Sequence, residues 1–238
     1  MQRKRREKRS GALPDDYHEV LAWSVTERPI RAIAAQILGV CSFAVFALVF
    51  FWLGRSLGKL PSQVAFGLSE IGAVFIGIVL TLALHELTHG LVMRIFGAKP
   101  KYGILWKGMM LYATTPGFAY HRNDYVVILL APFVFITTLV ALGMWFVQGT
   151  LWVALLALCG IFNASGAIGD LWITMIVLRY APTAYICDER DGIRVFCRSP
   201  EEGGMRKPGA GGAGRSSSIV TAERGQDAIG GIHDRKRI

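Results

Sequence analysis

Only 18% of the residues are charged, against 53% that are hydrophobic. So small a share of charge falls outside what a water-soluble domain uses to cover its surface, and it points to a membrane protein. A small-residue cleavage motif is missing after the first apolar run. That run is also too long and too far from the N-terminus for a secretory signal, so it is expected to stay as an anchor. No Cys-x-x-Cys pair occurs among the four cysteines, which leaves Cys41, Cys159, Cys187 and Cys197 as small apolar fillers and ordinary reduced thiols. There is no internal repeat.

Positive charge is scarce in two of the connections between apolar runs: 54–69 offers Arg55 and Lys59, and 148–150 offers none. The start of the chain, MQRKRREKRS, is by contrast strongly basic. By the positive-inside rule both termini and the 98–125 loop are expected in the cytoplasm of a multi-pass cell-membrane protein. That topology beside anionic lipid accounts for most of the net charge of +9, so no nucleic-acid partner is expected.

A bilayer core of about 30 Å needs roughly 20 apolar residues per helix. Four stretches qualify, at about 31–53, 70–97, 126–147 and 151–179. The expected fold class is an all-α membrane protein of about four transmembrane helices, carrying small cytoplasmic β-hairpins and disordered basic tails. Residues 1–12 form the basic disordered start, 13–197 the membrane domain, and 198–238 a disordered Gly-, Ser- and Arg-rich tail. Before the first span, GALPDDYHEVLAWSVTERP reads as an amphiphilic segment lying along the interface. KYGILWKGMMLYATTPG reads as a hairpin around Lys107-Gly108, and YICDERDGIRVFC as another turning at Asp191-Gly192.

The second span contains His85-Glu86-Leu87-Thr88-His89. On a helix the two histidines, four residues apart, project from one face and can share one metal ion. Glu86, offset around the helix, can reach a water at that metal as a base without being a ligand. An unpaired charge at the centre of a span costs on the order of 3 kcal/mol, which makes such residues functional candidates by default. A catalytic zinc site needs a third protein ligand. Asp170, the lone carboxylate of the fourth apolar run, stands about 9 residues from the cytoplasmic end of its helix, and the histidine motif about 10 from its own. Both therefore lie roughly 14 to 15 Å deep.

Asn163, two turns before Asp170, is placed to hold a substrate carbonyl or to orient a ligand. Ser165, Gly166 and Gly169 let the fourth helix approach its neighbours closely. Of His121, Arg122 and Asp124, just ahead of the third span, Arg122 can cap a helix, meet lipid phosphate or stabilise an oxyanion. His18 and His233 lie in polar segments and are expected to be solvated.

Together, HELTH in the second run and NASGAIGD in the fourth make the chain resemble the site-2-protease-like membrane zinc metalloproteases, most of all a small prokaryotic branch of zincin peptidases. The likeness runs from about Leu13 to Phe196 and includes PDDY, ATTPG, RNDYVVILLAPF and RDGIRVF. It implies zinc held by His85, His89 and Asp170, Glu86 as catalytic acid/base, and hydrolysis of a peptide bond within or near the membrane. The better-studied members carry a proline-containing Asn stretch ending Leu-Asp-Gly. Here no proline interrupts 163–170 and a glycine precedes the aspartate. No appended peptide-binding domain of the kind some members use is expected, and substrate selection is then expected to fall to the spans and hairpins. Two other readings use the same residues: a metal-binding membrane protein without hydrolytic activity, and a scaffold in which they form a structural polar cluster.

Overall fold

The computed structural model describes residues 11–60, 67–105 and 110–198. The expectations for the basic start, the Lys107-Gly108 turn, His233 and the Gly/Ser-rich tail fall outside these residues. Strand β1 (Tyr17–Ser24) leads into helix α1 (Pro29–Ser56), followed by α2 (Leu68–Ile95), β2 (Lys101–Leu105), β3 (Met110–Thr114), β4 (Ala119–His121), α3 (Arg122–Phe146), α4 (Thr150–Gly166), α5 (Ile168–Val177), β5 (Tyr185–Glu189) and β6 (Gly192–Arg198). Four helical stretches are long and apolar enough to cross a membrane: Pro29–Ser56, Leu68–Ile95, Arg122–Phe146 and Thr150–Val177. Pro29 opens α1, where its missing N–H costs nothing. The helices alternate in direction, so every strand emerges at the same end of the bundle.

Two features go beyond the sequence-based expectations. Residues 17–24, read from sequence as an interfacial segment, form a β-strand. This strand completes a four-stranded antiparallel sheet of order β1-β6-β5-β4, so the chain is mostly helical, as expected, with small antiparallel strands beside the helices. Sheet partners from the far end of the chain supply the ladder that an eight-residue stretch cannot reveal alone. The second feature is an interruption of the fourth span at Ala167, between α4 and α5. Just before it, Ser165 Oγ donates back to Ile161 O at 2.7 Å and is 3.3 Å from Phe162 O, a competition with the helix ladder that favours bending. The expected β5–β6 hairpin is present but turns at Arg190-Asp191, one residue earlier than Asp191-Gly192, with Gly192 opening β6 opposite Glu189, and β2 pairs with β3 as a separate two-stranded ribbon.

Helix α4 packs against α1, α2 and α3 and is the axis of the bundle. At the end away from the strands, Phe50, Ile136, Val140, Met144, Val153 and Ala157 form one core. There Lys59 Nζ donates to Met144 O at 3.1 Å and Val147 O at 2.8 Å, covering carbonyls that the end of α3 leaves open. At the strand end, Met93, Tyr120, Tyr125, Ile128, Val177, Ile186 and Val195 form a second core joining sheet to helices. Trp23 of β1 packs edge-on against Trp172 of α5, and Arg31 lies over the same indole. Both Ser24 and Thr26 hydrogen-bond the Asp191 carboxylate, which fastens the start of α1 to the β5–β6 turn.

A side chain at Gly192 would run into the Trp23 carbonyl and the Ser24 backbone, neither of which can retreat without breaking the β1–β6 pairing. Gly192→Ala is expected to cost about 1–3 kcal/mol, read as a lower thermal unfolding midpoint in detergent, whereas alanine at the open Gly72 position should leave the midpoint unchanged or raise it.

Candidate metal centre

His85 and His89 lie one turn apart on α2 and are both buried. Their Nε2 atoms converge on one carboxylate oxygen of α5: His85 Nε2 is 3.1 Å and His89 Nε2 3.3 Å from Asp170 Oδ2. The three ligand atoms all lie within 4.8 Å of one another. Spans two and four thus meet at matching depth.

The opposite ring nitrogens decide what can occupy that point. His89 Nδ1 is 2.9 Å from the carbonyl oxygen of Ile128. A carbonyl only accepts, so Nδ1 carries the proton. His85 Nδ1 is 3.0 Å from Asn163 Oδ1. The amide nitrogen of Asn163 is committed elsewhere, 3.3 Å from Pro132 O and 3.3 Å from Thr137 Oγ1. That fixes the amide so that its oxygen faces the histidine, and His85 Nδ1 is a donor as well. In neutral imidazoles both Nε2 atoms then hold lone pairs, and these point at a carboxylate oxygen. Three acceptors converge with no donor among them, which requires either a cation or additional protons in the space they share.

The donor set fits zinc. Ligands bound at about 2.0–2.1 Å to a tetrahedral ion lie about 3.3 Å from one another, close to the separations of 3.1 and 3.3 Å found here. Second bonds from ligating histidines to carbonyl or carboxylate oxygens are also what metal centres use to hold the rings in place.

Residues 78–185 match a family model described as "Putative zincin peptidase". The match spans both histidines, Glu86, Asn163 and Asp170, so over this stretch the chain is similar to a family described as zinc peptidases. Comparison of the chain with curated proteins and with solved structures finds no match.

Glu86 sits next to His85 but points around the helix from it, half-buried, on the helix that packs against β3. The β2–β3 ribbon is held there by close packing: Tyr102 of β2 lies so near Gly90 that any larger residue at position 90 would strike its hydroxyl. Asn163 is fully buried and orients His85. Arg122 spends its guanidinium on Tyr180 O, at 2.7 Å, and on Asn123 Oδ1. It therefore caps the end of the fourth span, the first of the roles open to it from sequence. His18 is exposed on β1.

Sequence reasoning missed Asp188. This carboxylate in β5 is buried and accepts from Tyr125 Oη at 2.6 Å, tying the first turn of α3 to the sheet. Its second oxygen is buried without a hydrogen-bond partner. Burial pushes the Asp188 carboxyl up to about 6, only partly offset by neighbouring donors that include Tyr125. Within DERD nothing in the sequence sets this residue apart from the neighbouring acids, and only the packing of the sheet on α3 distinguishes it.

Two predictions follow from these contacts. Wild-type protein purified in detergent and loaded with zinc should hold about one ion per chain by elemental analysis, and His85→Ala or Asp170→Ala should lose or loosen it. For Asp188 the folded-state value lies above the unfolded one, so between about pH 4 and 6 the native protein keeps a proton that the unfolded chain has released. Its contribution to stability therefore falls as pH rises through that window, by up to about 3 kcal/mol for a shift of about two units. Unfolding midpoints of wild type and Asp188→Asn across pH 4 to 7 should diverge, with the asparagine protein losing less stability toward neutral pH.

Proposed function

We propose that this chain is an intramembrane zinc metalloprotease of the site-2 type, hydrolysing a peptide bond near the cytoplasmic side of a cell membrane, with both termini cytoplasmic. The observation that carries this reading is the convergence of two histidine lone pairs and the Asp170 carboxylate beside Glu86, a carboxylate held next to them but outside the ligand set. Four apolar helices support lipid as the surrounding medium. Lipid and a membrane-embedded or membrane-proximal peptide are the expected partners, and no nucleic acid is.

His85, His89 and Asp170 would hold the zinc, which would supply Lewis acidity and a water acidic enough to ionise near neutral pH. The chain's own residues perform the rest. Glu86 takes a proton from the attacking water, whose oxygen bonds to the scissile carbonyl carbon. The C–N bond then breaks as Glu86 passes that proton to the leaving amine. Asn163 and the Ile128 carbonyl hold the histidines in the tautomer that leaves both Nε2 atoms free to bind. A substrate helix hides its backbone, so it must unwind before cleavage. The β2–β3 ribbon beside Glu86 is the element on which an extended peptide could be added as a further strand.

Glu86→Gln keeps the size and position of the side chain and removes the base. Zinc content should stay at the wild-type level while cleavage of a transmembrane peptide reporter drops by at least a hundredfold. Full cleavage by the glutamine protein would remove Glu86 from the mechanism. Zinc binding with no cleavage of any reporter by wild type would favour a non-catalytic metal-binding protein instead.

A further inference from the structure

Pro132 lies inside α3, a place where helices in lipid accept proline only if other groups satisfy the backbone it leaves open. In an unbroken helix the N–H of residue 132 would donate to the carbonyl of residue 128. Proline has no N–H, and its ring crowds that carbonyl. The Ile128 oxygen is therefore without its helical donor, and the donor it has is His89 Nδ1, at 2.9 Å. Pro132 also acts at the other histidine. Its own carbonyl accepts from Asn163 Nδ2 at 3.3 Å, the bond that turns the amide so that Oδ1 faces His85 Nδ1 at 3.0 Å.

We propose that Pro132 is the positioning residue of the metal centre: the helix bond it deletes frees the Ile128 carbonyl for His89, and the carbonyl it presents sets Asn163 for His85. One backbone irregularity in a third helix thereby orients both histidines of α2, although Pro132 touches neither ring nor metal. The proposal rests on the reading that His85, His89 and Asp170 hold zinc. It accounts for a proline inside an otherwise continuous helix, and for the pairing of a buried asparagine with a proline carbonyl 31 residues away in sequence.

Pro132→Ala separates positioning from structural support because the two roles predict opposite results. Alanine restores the N–H to the Ile128 carbonyl and is the better helix former, so a helix that merely tolerates the proline should be as stable or more stable without it. If Pro132 positions the centre, the same change makes His89 compete for its acceptor and should weaken zinc binding about 10- to 100-fold, the usual cost of losing a partner behind a metal ligand. The experiment compares full-length wild type, Pro132→Ala and the remote control Pro29→Ala in detergent. It measures the unfolding midpoint of metal-free protein, zinc affinity by competition with a chromogenic chelator, and histidine tautomers by nitrogen NMR of histidine-labelled protein.

The expected result is an unchanged or higher midpoint for Pro132→Ala, zinc affinity reduced 10- to 100-fold, and a histidine signal shifted away from the pure Nδ1–H form, with Pro29→Ala matching wild type in affinity. Zinc affinity within twofold of wild type would overturn the proposal while leaving the metal centre intact. A fall in midpoint accompanying the loss of affinity, or failure of the variant to fold, would make the proline structural and overturn it as well. Wild type that takes up no zinc would remove the metal reading itself, and this proposal with it.

Discussion

A polar group buried between long apolar helices costs free energy unless it finds a hydrogen-bond partner there. The rest of this structure depends on that constraint. Both histidines satisfy one ring nitrogen with an oxygen that only accepts, Ile128 O for His89 and the amide oxygen of Asn163 for His85. What remains is a pair of lone pairs directed at the Asp170 carboxylate. The site is thus defined as much by what stands behind the histidines as by the histidines themselves.

The bundle and the strands divide the work. Helices α2, α3, α4 and α5 supply the candidate ligands and the groups that orient them, which suits rigid elements whose spacing is set by packing around α4. The strand end closes over the same stretch of α2: β3 packs against this helix, and Tyr102 in β2 closes on Gly90. Asp188, through Tyr125, anchors the first turn of α3 to the sheet, one turn before the Ile128 carbonyl on which His89 depends. Damage to the sheet should therefore be felt at a centre that the sheet does not touch.

Several parts were legible beforehand, each for a physical reason. The long apolar helices showed because a membrane demands long apolar runs, and the β5–β6 hairpin because Asp191-Gly192 marks a break between two strand-like runs, although the turn itself falls one residue earlier, at Arg190-Asp191. The His-Glu-x-x-His motif and Asp170 showed because ionisable groups are conspicuous where everything else is apolar. Strand β1 did not show, since its amphiphilic pattern also fits an interfacial segment and its ladder partner β6 lies more than 160 residues away. For Arg122 a structural role at the interface was favoured over an oxyanion role, but its partner, the Tyr180 carbonyl, could not be named because it belongs to a distant turn.

From sequence alone came the number of spans, the identity of three convergent ligand candidates and their common depth, because spacing along a helix and distance from its end are properties of a single chain segment. Tertiary structure alone decided which ring nitrogens face the site, what fixes the Asn163 amide, and which carbonyl the proline in α3 leaves open. Those are contacts between helices, and hydrogen-bond direction across an interface leaves no periodicity in the sequence that could announce it.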